Sequence, residues 1–233
     1  MKKIIRLGKN TYEYDGVDLS IENGIELSQD DARELLFKAQ DVMNTLNMDI
    51  YLAFGTLLGA VREKNFIKGD FDVDVYVKDE KKLFDLLPEM KRQGLELIRA
   101  VKHKVYSFVL VGKPGCYIDF YIMRKPLSIW SIYCSRIEKT YYPDKILKDG
   151  NIEFLGRIFK CPAPTMDFIK FCYGETWNVP ISKFEKKYRY DVWSHYYYVK
   201  LIQPIKNIIK YFFKLIVGSQ RAIILFKRYR GEI

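Results

Sequence analysis

The chain has 233 residues, of which 48% are hydrophobic and 29% are charged, so its composition excludes a disordered chain and allows one sizeable core. Its four cysteines are widely spaced, without a C-x-x-C pair, which excludes a zinc ribbon or a disulfide framework and favours a reducing compartment. The formal net charge of +10 is concentrated between Val199 and Ile233, which contain eight basic residues and one acid. The body of the chain therefore lacks the charge of a nucleic-acid-binding domain, and no nucleic-acid partner is predicted.

The first 46 residues predict an irregular start followed by a long helix. Residues 1–27 lack the apolar core of a secretory signal, and they contain a hairpin pattern that turns at Asp15-Gly16. Ser28 and Asp31 then resemble a capping box, which predicts that a helix begins at Gln29. Apolar residues at helical spacing extend this helix to Leu46 and predict its buried stripe: Ala32, Leu35, Leu36, Ala39, Val42, Met43 and Leu46.

The stretch from Tyr51 to Val77 predicts a strand, a turn, a short helix and a second strand. The apolar run Tyr51–Phe54 predicts a buried strand that ends in a tight turn at Gly55-Thr56, and LLGAVRE predicts a helix. The glycine allows close backbone approach, and the N–H groups that begin a helix favour an anion such as a phosphate.

The second strand of this stretch, residues 72–77, alternates acidic and apolar residues. A period of two places Asp72 and Asp74 on one face and three valines on the other. Two neighbouring carboxylates repel each other unless water or a cation neutralises them. Mg²⁺ is held by such carboxylates together with phosphate oxygens, so the pattern predicts a metal site that faces a phosphate site. The alternative is an exposed strand with two solvated carboxylates.

Residues 79–122 predict a crossover helix and three strands. The helix covers residues 79–93, with a bend at Pro88, and strands follow at 95–99, 105–111 and 117–122, the last two joined by a turn at 112–115. Asp119 interrupts the last, apolar strand, where an unpaired charge would be costly to bury. If this strand lies beside the strand of Asp74, Asp119 becomes a third carboxylate of the site. The alternative is an ion pair of Asp119 with Lys104 or Arg124.

The C-terminal half predicts fewer regular elements. Residues 126–150 are unassigned and could include a loop over the site, residues 152–161 predict a strand, and Thr165 predicts the N-cap of a short helix that ends at Gly174. Further on, lysines recur every four residues at Lys206, Lys210 and Lys214, with apolar and aromatic residues between them. This pattern predicts a basic amphipathic helix on an anionic membrane surface. The alternative is a helix packed on its own domain or on a second subunit.

The block GTLLGAVREKNFI, followed by DFDVDV, resembles the signature of the LicD and fukutin-related phosphotransferases. The matching residues are Gly55, Thr56, Leu58, Gly59, Arg62, Phe66, Asp70, Asp72 and Asp74. Phe171–Pro180 also resembles the YG-x-x-W…P element of this family. The chain departs from many bacterial members at Gly69, where they have Trp or a similar residue, and at Phe71, where they have Asp.

The resemblance implies an α+β nucleotidyltransferase-type mixed β-sheet flanked by helices. It covers residues 1–185 as the catalytic domain and leaves residues 186–233 as a helical, basic C-terminal segment. It implies Asp72, Asp74 and Asp119 as catalytic metal ligands. For substrate binding it implies Gly55, Thr56, Arg62, Asp70, Tyr173 and Trp177. Arg62 could instead tie its helix to a nearby acid, and Tyr173 and Trp177 could be core residues.

The resemblance also implies a function. The expected reaction transfers phosphocholine or a polyol phosphate from a CDP-linked donor to a hydroxyl of a cell-surface glycan or its lipid-linked precursor, with Mg²⁺ or Mn²⁺ as cofactor. The expected location is cytoplasmic, at the inner face of the membrane. One alternative is a nucleotidyltransferase that moves a nucleotide from an NTP and releases pyrophosphate. A second is a non-catalytic adaptor that retains the fold, which the presence of all three acids disfavours.

Overall fold

The computed structural model describes residues 2–15, 28–70, 72–102, 107–113, 116–123, 132–135 and 140–180, and the single residues 205, 208 and 211. These residues form four α-helices and eleven strands. The helices are α1 (Gln29–Asn44), α2 (Phe54–Arg62), α3 (Glu80–Arg92) and α4 (Thr165–Tyr173). The strands are β1 (Lys2–Leu7), β2 (Asn10–Asp15), β3 (Tyr51–Leu52), β4 (Val73–Val77), β5 (Glu96–Lys102), β6 (Ser107–Lys113), β7 (Cys116–Ile122), β8 (Ile132–Ser135), β9 (Thr140–Pro143), β10 (Lys148–Phe154) and β11 (Arg157–Ala163).

A mixed sheet of seven strands is the centre of the fold. Its order is β10-β11-β3-β4-β7-β6-β5, with β4 in the middle. Strand β4 runs antiparallel to β3 and parallel to β7, and α3 with β5 and β6 forms the connection between the two parallel strands. All five residues of β4 are buried. The predicted α+β mixed sheet flanked by helices is therefore confirmed.

Helix α1 shows why its sequence forms a helix at this place. The side chain of Ser28 accepts a hydrogen bond from the Asp31 amide at 3.4 Å, so Ser28 is the predicted N-cap. Six residues of the predicted stripe are buried, and the helix packs on β7 and α3. Leu46 was expected to continue this stripe, and that expectation is wrong. The helix ends at Asn44, and Leu46 is 42% exposed.

Two hairpins differ from the sequence prediction. The N-terminal hairpin turns at Gly8-Lys9, between β1 and β2. The predicted turn at Asp15-Gly16 includes Gly16, which lies outside the described residues. The predicted strand 152–161 is in fact the middle of the β10–β11 hairpin, whose turn lies at Leu155-Gly156. Both turn residues have positive φ, of 53° and 81°. The apolar alternation continues through this turn, so the pattern alone did not separate the two strands.

Other element boundaries differ by a few residues. Strand β3 ends at Leu52, so Phe54 belongs to α2 and not to a strand, and Gly55 and Thr56 lie in the first turn of that helix. Thr165 is the first residue of α4, and its hydroxyl donates to the Pro162 carbonyl oxygen, so it is not the N-cap. The predicted ends of α3 and the end of α4 at Gly174 agree with the structure. Residues 132–135 and 140–143, which had no assignment, form the β8–β9 pair.

The far end of β4 is fixed to the β10–β11 hairpin through one acidic residue. Asp149 accepts hydrogen bonds from the Lys78 ammonium at 2.5 Å and from the Tyr51 hydroxyl at 2.9 Å. The rings of Tyr51 and Tyr76 stack with their centroids 4.6 Å apart, which joins β3 to β4 by side chains as well as by the backbone. These contacts hold three strands together at the end of β4 opposite Asp74.

Most of the predicted C-terminal segment, residues 186–233, lies outside the described residues, so its boundary stays a prediction. Ile205, Ile208 and Tyr211 are helical, and each is more than half exposed. Within the part of the chain that the structure describes, no helix combines the length and the apolar character needed to cross a bilayer.

The burial of α1 leads to a stability prediction. Leu36 is fully buried, so Leu36→Ala should lower the free energy of unfolding by about 2–5 kcal/mol through lost burial and a residual cavity. Leu46→Ala is the control and should lower it by less than about 1 kcal/mol, because that side chain is already 42% exposed. Urea denaturation followed by circular dichroism measures both. Equal losses in the two variants would contradict the helix boundary described here.

Candidate active site

The start of helix α2 has an unusual backbone. Ala53 is extended, and Phe54 follows with a φ of +39°, a value that is rare for an aromatic residue. The Phe54 ring is fully buried, and its centroid lies 5.0 Å from that of Tyr121 and 6.0 Å from that of Phe168. These ring contacts hold the backbone at the junction between β3 and α2. The sequence does not reveal this role, because Phe54 fits an apolar strand equally well.

Three hydrogen bonds connect the start of α2 with Asp74 in β4. The Gly55 amide donates to Asp74 Oδ2 at 2.9 Å, and the Asp74 amide donates to the Thr56 hydroxyl at 2.8 Å. The Ala53 amide donates to the Asp74 carbonyl oxygen at 3.2 Å. Thr56 is only 1% exposed, so its hydroxyl acts in this structure on the backbone of β4. Its predicted role in donor binding stays a prediction.

The structure brings the predicted acids to one place. Asp74 and Asp119 are register partners on the parallel strands β4 and β7, and Asp72 lies two residues before Asp74, directly ahead of β4. Asp119 is therefore beside Asp74, as its interruption of an apolar strand suggested. Lys104 and Arg124, the alternative partners of Asp119, lie outside the described residues. Asp74 is 8% exposed, which rules out the solvated-strand interpretation for this residue.

Asp70 is a fourth acid at the same place. A Cβ atom built on Gly55 would lie 2.6 Å from Asp70 Oδ2 and 3.1 Å from Asp74 Oδ2. A side chain at residue 55 would therefore force the Asp70 carboxylate to move and would crowd the Asp74 carboxylate at the start of α2. The first turn of this helix, predicted to face a phosphate, is thus lined by two carboxylates.

The closeness of the four carboxylates affects the pKa of Asp74. Burial raises the pKa of Asp74 well above its usual range, and the charges of Asp72, Asp70 and Asp119 raise the pKa further. The hydrogen bond from the Gly55 amide acts in the opposite direction, because it stabilises the charged carboxylate. A buried carboxylate among three others is costly unless a proton or a cation neutralises it.

The donor set fits a hard divalent cation, which binds oxygen ligands and would remove the repulsion between the carboxylates. Among the described residues, however, no group of three acidic, histidine or cysteine side chains is already arranged at the distances of a metal site. Asp72, Asp74 and Asp119 therefore stay predicted metal ligands.

Arg62 has other partners than a phosphate in this structure. Its Nε and Nη2 atoms donate to Glu63 Oε1, and its Nη1 atom donates to the Trp177 carbonyl oxygen at 3.3 Å. Arg62 thus pairs with the adjacent residue at the C-cap of its own helix, and only its bond to Trp177 ties α2 to another part of the chain, the segment after α4. The phosphate clamp stays a prediction.

Tyr173 and Trp177 lie close to the core. Both side chains are partly buried and pack against the main hydrophobic cluster. This placement agrees with a core role and leaves part of each ring accessible. Their predicted contact with a donor stays a prediction.

Comparison with known proteins identifies the family. The model of the LicD/FKTN/FKRP nucleotidyltransferase domain matches residues 47–164, just over half of the chain. The chain belongs to this family. The matched range contains the start of α2, the four acids and Arg62.

Curated relatives are similar over parts of their length. Human ribitol-5-phosphate transferase FKTN is 27% identical over 169 residues, which cover 67% of this chain and 35% of the relative. An uncharacterized protein of Rickettsia typhi is 30% identical over 131 residues, 53% of this chain and 40% of the relative. This LicD-family chain therefore spans little more than a third of the length of the relatives that it matches.

Among solved structures, the antibiotic-resistance factor ANT(2'')-Ia is similar at a TM-score of 0.47 and 13% sequence identity, over 88% of this chain and 94% of that chain. This likeness is too distant to bear on function.

The raised pKa of Asp74 leads to a prediction for this LicD-family site. Folding favours the protonated carboxyl, so this stabilisation is present below the ordinary pKa of an aspartate and is lost as the pH rises through the raised pKa. Asp74→Asn keeps an acceptor for the Gly55 amide and removes the charge. In EDTA at neutral pH, we expect a higher melting temperature than in the parent, by roughly 2–4 °C for each kcal/mol gained.

The measurement is thermal unfolding by circular dichroism between acidic and neutral pH. Asp49→Asn, at an exposed position between α1 and β3, is the control and should follow the parent. A melting temperature of Asp74→Asn below that of the parent at neutral pH would contradict the assignment of Asp74 as a destabilising buried charge.

Proposed function

We propose that this protein is a metal-dependent transferase of a phosphate-linked group. Its donor is a CDP-activated phosphocholine or polyol phosphate, and its acceptor is a hydroxyl of a cell-surface glycan or of a lipid-linked precursor. The observation that carries the proposal is the position of Asp74 and Asp119 side by side on neighbouring strands, with Asp70 and the Gly55 amide at the same point. Membership of the LicD family supports the reaction class.

The similarity to FKTN supports one donor in particular. That relative is named a ribitol-5-phosphate transferase, and the similarity includes 67% of this chain. Ribitol phosphate is therefore the first polyol phosphate to test. Because the similar region is only 35% of the relative, the activity, donor and acceptor of the whole relative remain proposals for this chain.

Asp72, Asp74 and Asp119 are the residues that would hold Mg²⁺ or Mn²⁺. A bound cation would neutralise the donor's phosphate charge and help to orient it. The chain's own residues fix where this happens. The Gly55 amide orients the Asp74 carboxylate, and the Thr56 hydroxyl holds the Asp74 backbone, so the central acid has a defined position before substrates arrive.

In the proposed reaction, the acceptor hydroxyl oxygen attacks the phosphorus atom that carries the transferred group. A new P–O bond forms, and the bond from that phosphorus to the bridging oxygen of the diphosphate breaks. CMP leaves with the electron pair, and a phosphodiester remains on the acceptor. Asp119, in its deprotonated form, accepts the proton of the attacking hydroxyl.

The rival proposal uses the same acids on a different phosphorus atom. A nucleotidyltransferase would bind an NTP, move the nucleotide to the acceptor and release pyrophosphate. The four carboxylates suit either reaction, since both need charge neutralisation and in-line geometry. A protein that binds a donor without turnover is the third possibility.

A donor panel tests these proposals. The full chain should release CMP from CDP-ribitol, CDP-glycerol or CDP-choline when Mg²⁺ and a lipid-linked glycan acceptor are present, and EDTA should abolish the release. Asp119→Asn should lower kcat by at least about a hundredfold, because it removes a proton acceptor and a negative charge. Chromatography of nucleotides measures both, with Asp49→Asn as the control variant. Pyrophosphate from an NTP would instead favour the rival, and no turnover together with donor binding would favour the third possibility.

We also propose that the C-terminal segment contacts an anionic membrane surface. Ile205, Ile208 and Tyr211 recur every three residues in a helical conformation, and all three are exposed. Lys206, Lys210 and Lys214 alternate with them in the sequence. Exposed apolar residues in a lysine-rich segment match the interface of an anionic leaflet, where lipid-linked glycans are also found.

Vesicle sedimentation tests this contact. We expect the full chain to sediment with vesicles that contain anionic phospholipid and to bind neutral vesicles weakly, because both the exposed apolar residues and the lysines contribute. A variant that combines Ile205→Ser, Ile208→Ser and Tyr211→Ser should lower binding by about tenfold or more. Ile158→Ser is the matched control, since Ile158 is 61% exposed on β11. Unchanged sedimentation of the triple variant would favour packing on protein.

A further inference from the structure

The loop between α2 and β4 places Asp70 at the site. The Asp70 carboxylate lies where a side chain on Gly55 would begin, although Asp70 belongs neither to α2 nor to β4. The backbone after α2 must therefore bring this carboxylate back to the start of the helix. Two glycines account for its path: Gly59 within α2 and Gly69 directly before Asp70.

Gly59 is the first of them. It lies four residues after Gly55 and hence on the same face of α2. A Cβ atom on Gly59 would be 2.5 Å from the Asn65 carbonyl oxygen and 3.1 Å from the Ile67 amide nitrogen. Both atoms belong to the backbone, so any side chain at residue 59 would push the loop away from the helix.

Gly69 is the second. It directly precedes Asp70 and has a φ of +79°, a conformation that L-residues with a side chain rarely adopt. A Cβ atom there would meet no atom within 4 Å, so the requirement for glycine is conformational and not steric.

The loop is anchored on its other side. Phe66 is 3% exposed, and its ring packs edge-on against Phe154 with the centroids 5.1 Å apart. The Asp70 amide donates to the Ile67 carbonyl oxygen at 3.2 Å. Only three residues separate the buried Phe66 from Asp70, so a change of backbone conformation at Gly69 is passed directly to the Asp70 carboxylate.

We propose that Gly59 and Gly69 are positioning residues of this site, which set the path of the 65–70 loop so that the Asp70 carboxylate lies at the start of α2 beside Asp74. This inference deepens the proposed function and rests on it where turnover is concerned. The alternative is that both glycines are needed for folding alone. Gly94 is a control that distinguishes these two roles, because it also has a φ of +79° and no atom within 4 Å of an added Cβ.

The experiment compares Gly69→Ala with Gly94→Ala, which introduce the same backbone strain near the site and far from it. Both should lower the melting temperature by a similar amount. Only Gly69→Ala should shift the amide signal of Gly55 in a ¹H–¹⁵N spectrum of the EDTA-treated protein, and Asp70→Asn should shift the same signal. This readout needs no substrate, so it decides the proposal even if the donor panel finds no turnover.

Turnover adds a second readout when the parent is active. Gly69→Ala and Gly59→Ala should each lower kcat/KM by about tenfold or more, whereas Gly94→Ala should change it by less than about twofold. If the glycines act through Asp70, adding Gly69→Ala to Asp70→Asn should cause no further loss, as a double-mutant cycle requires.

Two results would overturn the proposal. One is a Gly55 amide signal that is unchanged in Gly69→Ala. The other is a loss of activity that simply adds to that of Asp70→Asn, because the glycine would then act independently of the carboxylate.

Discussion

The hydrogen bonds between the start of α2 and Asp74 are the constraint on which this site depends. The Gly55 amide donates to the Asp74 carboxylate, and a side chain at residue 55 would displace the Asp70 carboxylate and crowd that of Asp74. In return, the Asp74 amide bonds to the Thr56 hydroxyl, so helix and strand fix each other. The strained backbone of Phe54 and the rings around it belong to the same arrangement, because they determine where the helix begins.

This arrangement explains how one carboxylate of an acidic cluster can be buried in the core. Asp74 is buried in the central strand, where the sheet is held by neighbours on both sides, and the hydrophobic contacts there are extensive. The surrounding structure can therefore hold carboxylates close together although they repel one another. Removing the charge is expected to stabilise the fold and to remove function, which is the usual opposition between stability and activity at such sites.

Much of the fold and of the candidate site was predictable from the sequence, and the incorrect predictions have physical causes. The alternation of residues 72–77 and the charge inside the strand of Asp119 indicated adjoining carboxylates, because an acid is costly to bury without a partner or a function. The predicted boundaries of helices and strands were wrong where the local pattern fits more than one structure. The β10–β11 hairpin was read as one strand because its apolar alternation continues through the turn at Leu155-Gly156. The packing of the loop on Gly59 was not foreseeable, since it depends on a tertiary contact, although the spacing of Gly55 and Gly59 was a signal.

The parallel pairing of β4 with β7 has a consequence for the way the protein acquires its site. Helix α3 and strands β5 and β6 come between the two strands in the chain. Asp74 is 19 residues from its partner Gly55 in the chain, whereas Asp119 joins the site only when this longer connection has closed. The pairing of Asp119 with Asp74 adds repulsion between carboxylates to the entropic cost of closing this connection. A bound cation would offset that repulsion and favour the pairing of β7 with β4.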